Sequence, residues 1–221
     1  MNGMTLLSMG MKGIFIFMGK LLTIERYYNL IHHTFPLLPQ NKARLHARLA
    51  NCDPILREAF HESLQAAVYS FPSPSLPATG QQSTKKAAQL IAAFQFENMS
   101  SRSFSTNLIY LQTMMLMAIE AGNRPPSRGQ GGSSQSIWLG SAIGLAHYLK
   151  LYLQQPPEKN SEGDHDSDDK MARRIWWSII IMDRWHASSR SRPLLIPDAS
   201  VAVCAGDQSL LGEHLYQFAR K

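Results

Sequence analysis

Three aspartates alternate along residues 164–168, where acidic side chains could hold a calcium ion. A calcium-binding loop of the EF-hand type needs a glycine at its sixth position and a bidentate glutamate at its twelfth. Counted from Asp164 through Asp166 and Asp168, these positions hold Asp169 and Ile175. The spacing therefore fails the test, and we predict a solvated acidic linker with no metal site.

The other candidate ligands and catalytic groups are isolated. Cys52 and Cys204 stand far apart, without the short Cys-x-x-Cys hook that starts a structural zinc site. They indicate reduced thiols in an intracellular protein. His32 and His33 have no third ligand at helical spacing, and His147 on an apolar helix is interpreted as a core histidine. No nucleophile, base and acid assemble in sequence, so we predict no catalytic residues, no metal ligands and no enzyme.

Composition favours one globular domain whose surface carries few charged residues. Of the 221 residues, 44% are hydrophobic and only 17% are charged, which suggests that part of the surface packs against something else. The net charge is +6, but lysine and arginine are scattered, as in Lys85–Lys86 and Arg173–Arg174. We therefore expect an ordinary basic surface and assign no DNA-binding residue.

The N-terminal stretch is apolar but poorly specified. Between residues 4 and 22, Lys12, Lys20 and three glycines interrupt the apolar run. A membrane-spanning helix needs about 20 mainly apolar residues, and glycine weakens a helix. We interpret residues 1–20 as a lead-in and expect no membrane association. A signal or anchor is the alternative.

Hydrophobic periodicity predicts helices throughout the rest of the chain. Asp53–Pro54 is a favourable helix start, and the run near 105–120 is apolar almost all round, so we expect it to be buried. No strand alternation appears, and the fold class predicted is all-α, an irregular multi-helix array. The expected helices cover 21–35, 55–69, 84–98, 105–120, 134–152, 169–188 and 209–219, with flexible loops near 71–82, 122–134 and 155–168.

The segment 171–198 is the most distinctive part of the sequence. Its tandem tryptophans, Trp176 and Trp177, predict a strongly packed helix. Asp183–Arg184 lies inside this apolar run, and charges are almost never fully buried unless they are paired. We therefore expect one or both to pair across the core or to cap a neighbouring helix end. Arg192–Pro193 ends the element.

This segment resembles the signature of the fungal-specific transcription factor domain, the middle homology region of zinc-cluster regulators. The likeness covers most of residues 21–200, including 25–39 and 108–154. Many members carry glycine where this chain has Ser191. The signature positions, to which the resemblance gives a structural role, are Arg173, Arg174, Trp176, Trp177, Asp183, Arg184, Arg192, Pro193, Ile196 and Pro197.

The resemblance implies a nuclear regulatory domain over 21–221 that controls transcription. In that family DNA is read by a six-cysteine module that holds two zinc ions. We expect this chain to lack that module, so it would hold no cofactor itself and would reach DNA only through the missing module. The family's domain generally continues beyond Lys221, so the fold is expected to be incomplete at its C-terminus.

More specific expectations concern targets and partners. The segment Trp185–Ser189 is similar to regulators of sugar or carbon metabolism. A homodimer or a co-regulator protein is a possible partner. Two alternatives stay open, namely a truncated, non-DNA-binding partner or inhibitor of a full-length relative, and a helical small-molecule-binding protein or enzyme fragment.

Overall fold

A computed structural model describes residues 18–72, 80–95, 101–124, 134–153, 164–204, 206–212 and 217. Within these ranges the chain is helical without strands, which confirms the all-α fold class. Helix α1 covers residues 18–30 of the described part. The helices that follow are α2 Lys42–Ala50, α3 Pro54–Tyr69, α4 Gly80–Gln95, α5 Phe104–Asn123, α6 Gln135–Tyr148, α7 Asp168–Arg190 and α8 Asp207–Leu211, with short 3-10 turns at Leu151–Leu153 and Asp198–Ser200.

Capping side chains fix where several helices begin. The Asp53 carboxylate accepts hydrogen bonds from the N–H groups of Ile55 and Leu56, at 2.7 and 3.2 Å, and Pro54 occupies the first turn of α3. This start was predicted correctly from sequence. Ser103 caps α5, and its hydroxyl accepts from the Thr106 N–H at 3.1 Å. Such caps satisfy N–H groups that would otherwise lack a partner.

Helix α2 was missed from sequence, since it lies between the expected helices 21–35 and 55–69. Its N-cap is Asn41, whose side chain accepts from the Ala43 N–H at 2.9 Å. Only Leu45 and Leu49 are buried along it, and its other side chains are small or basic. Two buried leucines spaced by four make a narrow apolar stripe, which is why periodicity gave a weak signal.

Helix α5 is the centre of the bundle. Every residue from Asn107 to Glu120 is buried, as expected from its apolar sequence. It packs on α3 and α6 and also reaches α7, while α4 packs on α3. Helices α3, α6 and α7 thus pack on the apolar helix α5, and α7 carries most of the signature segment.

Helix α6 ends earlier and α7 runs longer than predicted. Helix α6 stops at Tyr148, because Lys150 adopts a left-handed conformation with φ 55° before the 3-10 turn. Helix α7 starts at Asp168 and continues to Arg190. Asp168 and Asp169 occupy its first turn, where carboxylates complement the positive end of the helix dipole.

Several sequence-based expectations fall on residues outside the described ranges. These include the lead-in up to residue 17, and most of the loops near 71–82, 122–134 and 155–168. Of the predicted helix 209–219, residues 209–211 belong to α8, and most of the remainder lies outside the described ranges. None of the helices in the described ranges is long and apolar enough to cross a membrane.

Candidate functional site

The signature residues of α7 lie in the protein interior. Arg173, Arg174, Trp176, Trp177 and Asp183 each expose 1% or less of their surface. The expectation that the two arginines belong to an ordinary basic surface is therefore wrong. Helical spacing of four places Arg173 above Trp177, so the pattern of the buried stripe could have revealed its burial.

Arg173 is held by the C-terminal segment of the chain. Its Nε and Nη2 donate to the two carboxylate oxygens of Asp207, both at 2.7 Å, and Nη2 also donates to the Ala202 carbonyl at 2.6 Å. The same carboxylate accepts from the Cys204 N–H at 2.7 Å. The guanidinium lies 5.4 Å from the Trp177 ring centroid. This bidentate pair ties α7 to residues 202–207.

Arg174 is held by Asp166, which precedes α7 in the chain, whereas Asp207 follows α7. The Asp166 carboxylate accepts from Arg174 Nη2 at 2.9 Å and from the N–H groups of Gln40 and Asn41 at 2.7 and 2.8 Å. Burial acts to raise the pKa of Asp166, but the two N–H groups and the guanidinium outweigh it and lower that pKa. Asp166 therefore joins the start of α2 to α7.

The neighbouring aspartates also pair with arginines. The expectation of a solvated linker is wrong for Asp166, which is buried, whereas the Asp164 and Asp168 side chains remain 43% and 41% exposed. Asp164 accepts from Arg44 Nη1 at 2.7 Å, and Asp168 pairs with Arg48. Both arginines belong to α2. The alternation of acidic residues that first suggested calcium binding instead serves arginine binding.

Asp183 and Arg184 organise the segment that returns along α7. Both oxygens of Asp183 accept from the Leu195 N–H, at 3.1 and 3.0 Å, and one accepts from the Ile196 N–H at 2.9 Å. Arg184 pairs with Asp198 at 2.6 Å. Asp183 thus binds two backbone N–H groups of a bend that follows α7, rather than pairing across the core or capping a helix end.

The turn between α7 and this segment depends on Ser191. It adopts a left-handed conformation with φ 49° and ψ 46°, and the following Arg192 N–H donates to the Ala187 carbonyl at 3.0 Å. Glycine adopts this conformation without steric cost, so a glycine would be favoured at this position. Pro193 follows and stays exposed, as does Pro197, whereas Ile196 is buried.

A cleft of about 540 Å³ opens beside the C-terminal half of α7. Residues from the turn after α1, the end of α5, the start of α6 and α7 line it, together with Phe71 after α3. At the end of α5, an added Cβ at Gly122 would lie 2.7 Å from Gln135 Nε2. Gly122 therefore makes room for the Gln135 amide at the cleft.

His186 stands at the polar side of this cleft. Its Nδ1 lies 3.0 Å from Gln135 Oε1 and its Nε2 lies 2.8 Å from Ser136 Oγ, which accepts from Arg192 Nη1 at 3.0 Å. Because the amide oxygen can only accept, Nδ1 carries the proton and Nε2 accepts from the serine. Burial lowers the pKa of His186, and Arg192 and Arg190 lower it further, which favours the neutral ring.

The contact between Ser136 and His186 lacks the arrangement that activates a serine as a nucleophile, and we interpret it as structural. In a catalytic triad the base is oriented by a carboxylate that stabilises the imidazolium. Here the third group is the uncharged Gln135 amide, and Arg192 donates to the Ser136 oxygen. Sequence reasoning missed His186, although it continues the buried stripe of Ile175, Ile179 and Met182 at helical spacing.

The remaining candidate ligands stay apart in the structure. Within the described residues no three His, Cys, Asp or Glu side chains lie close enough to hold a metal ion. The six-cysteine zinc module of the resembled family cannot form from the chain's two cysteines, Cys52 and Cys204. His147 is exposed, with its ring 5.7 Å from that of Trp176, so its assignment as a core histidine is wrong.

Comparisons with known proteins place this site in a family. The sequence profile described as the fungal specific transcription factor domain matches residues 24–203. A transcriptional regulatory protein of Schizosaccharomyces pombe, itself uncharacterized, is 36% identical over 200 residues, which are 89% of this chain and 23% of the relative. No solved structure matches the chain significantly.

The chain belongs to the fungal specific transcription factor domain family. The family match includes α1 through the segment that returns along α7, so the residues held by Asp166 and Asp183 lie inside it. Asp207, which holds Arg173, lies just beyond the matched range. The chain spans about a quarter of the length of the relative it matches.

Proposed function

We propose that this domain is the regulatory part of a nuclear transcription regulator, that it performs no catalytic step, and that DNA is contacted by residues outside this chain. The observation that carries the proposal is the family match over residues 24–203, supported by a relative named as a transcriptional regulatory protein.

The charges of the described residues support assigning DNA contacts elsewhere. Binding to DNA depends on lysine and arginine that neutralise phosphates and displace counterions. Arg173 and Arg174 are buried in ion pairs, and Arg44, Arg48 and Arg184 each face a carboxylate of this same chain. These arginines pair with carboxylates of the same chain and are not directed at a phosphate backbone.

Protein partners fit this role better than nucleic acid does. We propose that the domain acts through a co-regulator or through a second copy of itself. The relation to sugar or carbon metabolism stays a prediction that rests on the segment Trp185–Ser189.

A reporter experiment tests the proposal. The chain is fused to an unrelated DNA-binding domain whose operator controls a reporter gene, and the fusion is compared with that DNA-binding domain alone. We expect the fusion to change reporter output in either direction, and Asp207→Ala to remove the change because it breaks the buried pair with Arg173. Asp198→Ala, which breaks the exposed pair with Arg184, is the matched control and should behave like the parent fusion.

A gel-shift measurement on the unfused chain completes the test. We expect weak binding that is insensitive to DNA sequence and lost as salt increases. Sequence-specific binding by the unfused chain, or a fusion that leaves the reporter unchanged, would contradict the proposal.

A further inference from the structure

The cleft beside α7 has walls that are mostly apolar. Its lining joins residues that are distant in sequence, from the turn after α1 to the C-terminal half of α7. The Phe35 and Trp185 rings meet edge to face, with centroids 5.4 Å apart. The apolar side chains that line the cleft are Leu30, Ile31, Phe35, Phe71, Ile119, Met182 and Trp185.

The cleft offers polar groups but no full charge. Among the described residues that line it there is no Lys, Arg, Asp or Glu. Its imidazole, that of His186, has both ring nitrogens engaged by Gln135 and Ser136. An ionic ligand would therefore lose its hydration here without gaining an opposite charge, which is costly. A neutral ligand would not meet that cost.

Hydrogen-bonding side chains also line the cleft. Thr34 and Ser188 provide hydroxyls. Asn123 and Ser189 also line the cleft, but the Asn123 amide donates to Ser70 Oγ and the Ser189 hydroxyl donates to the His186 carbonyl, so they can offer acceptor oxygens. A small set of polar groups beside aromatic and aliphatic walls is typical of sites that orient small molecules. The volume, about 540 Å³, lies within the usual range for such sites.

From this geometry we infer that the cleft binds a neutral, largely apolar small organic molecule that carries one or two hydrogen-bonding groups. The apolar body packs against Phe35, Met182 and Trp185. The polar groups of the ligand face Thr34 and the serines of α7. This inference goes beyond the proposed function, because it concerns binding to the chain itself and requires neither DNA nor transcription.

Titration with Nile red, a neutral apolar dye, tests the inference. We expect one dye per chain, a blue-shifted dye emission and quenching of tryptophan fluorescence. Trp185 exposes 43% of its surface, whereas Trp138, Trp176 and Trp177 are buried. Trp185 also lines the cleft, so Trp185→Phe is measured at a dye concentration that saturates the variant, where it should remove most of the quenching. Quenching that survives this substitution would place the dye elsewhere and overturn the inference.

Matched substitutions locate the binding site. Thr34→Phe and Ser188→Phe each add a ring to the cleft and should weaken dye binding by about tenfold or more. Ser141→Phe adds the same ring to the exposed side of α6, away from the cleft, and should leave binding unchanged. Two variants are used so that failure of one to fold, judged by circular dichroism, leaves the other decisive. Equal dye affinity of a folded cleft variant and the Ser141→Phe control would overturn the inference.

Two further comparisons test the nature of the occupant. The anionic dye 8-anilinonaphthalene-1-sulfonate should bind at least about tenfold more weakly than Nile red, because the cleft offers no cation. Dye affinity should also be independent of protein concentration. Equal affinity for the anionic dye and for Nile red would overturn the inference. Nile red affinity that falls as the chain self-associates would also overturn it and would identify a second copy of the chain as the occupant.

Discussion

At the scale of single residues, adjacent arginines of α7 keep their charges in the interior because each faces its own aspartate. Arg173 pairs with Asp207, and Arg174 pairs with Asp166. A buried ion pair contributes little net stability, since desolvation offsets the attraction between the charges. Loss of one partner is different, because the other charge is then left buried and unpaired.

Asp207→Ala is expected to lower the free energy of unfolding by about 3–5 kcal/mol, the usual cost of breaking a buried pair. Asp198→Ala removes the partner of Arg184 at a site where the carboxylate side chain is 76% exposed, and should cost less than about 1 kcal/mol. Urea unfolding of both variants measures the difference. If both substitutions lowered the free energy of unfolding equally, burial of the pair between Arg173 and Asp207 would not be what makes its loss costly.

Ser191→Gly is expected to raise the free energy of unfolding by about 1 kcal/mol, because the left-handed conformation strains a residue with a Cβ. Ser188→Gly, three residues earlier within α7, should instead lower it by about 0.5 kcal/mol, the difference in helix propensity. Thermal or urea unfolding measures both. A loss of stability in Ser191→Gly would mean that the serine side chain has a role in the turn.

At the scale of elements, α7 is the helix on which the other parts of the domain converge. Its first half binds α2 and the C-terminal segment through charged pairs, its middle is buried in the core, and its last turns line the cleft. A substitution in the buried middle of this helix should therefore lower the free energy of unfolding strongly, whereas one at an exposed position near the cleft should lower it little.

Trp177→Ala is expected to lower the free energy of unfolding by about 3–5 kcal/mol, as other truncations of large core side chains do. Trp185→Ala, at the edge of the cleft, should lower the free energy of unfolding by much less, because 43% of Trp185 is already exposed. Urea unfolding compares the two. A cost below about 1 kcal/mol for Trp177→Ala would exclude that tryptophan from the core.

The sequence predicted elements better than it predicted the roles of charged residues. Helices α3, α5 and α7 were found because broad apolar stripes and caps such as Asp53 are local signals. Helix α2 was missed because its stripe consists of two leucines. Arg173 was misassigned because Asp207 lies 34 positions away and only tertiary structure brings it near. Arg174 was misassigned because Asp166, eight positions before it, was interpreted as part of a solvated linker. The cleft could not be predicted because its lining residues are distant in sequence.

At the scale of the whole molecule, burial of histidines couples stability to pH. The pKa of His32 is lowered from 6.5 to about 4, chiefly by burial and next by the nearby charge of Arg174. His33 also lowers this pKa, whereas Asp166 raises it. Burial likewise lowers the pKa of His61 to about 4.

These shifts predict a loss of stability in mild acid. The unfolded chain protonates these imidazoles near pH 6.5, whereas the folded protein does so only near pH 4. The contribution of each is therefore complete above pH 6.5 and falls by at most about 1.4 kcal/mol per pH unit as pH drops towards 4. Urea unfolding across this interval should show a smaller slope in His32→Gln and His61→Gln, and the smallest in the double variant. Identical slopes in all of these proteins would contradict the assignment.

The pair of Arg173 with Asp207 has a consequence for synthesis on the ribosome. The two residues are 34 positions apart, and a ribosome adds about 5–20 residues per second, so the arginine precedes its partner by roughly 2–7 s. During that interval the first turns of α7 cannot dock without burying an unmatched charge. We therefore expect the nascent chain to keep the apolar side of α7 exposed for seconds, the interval in which a chaperone would bind it.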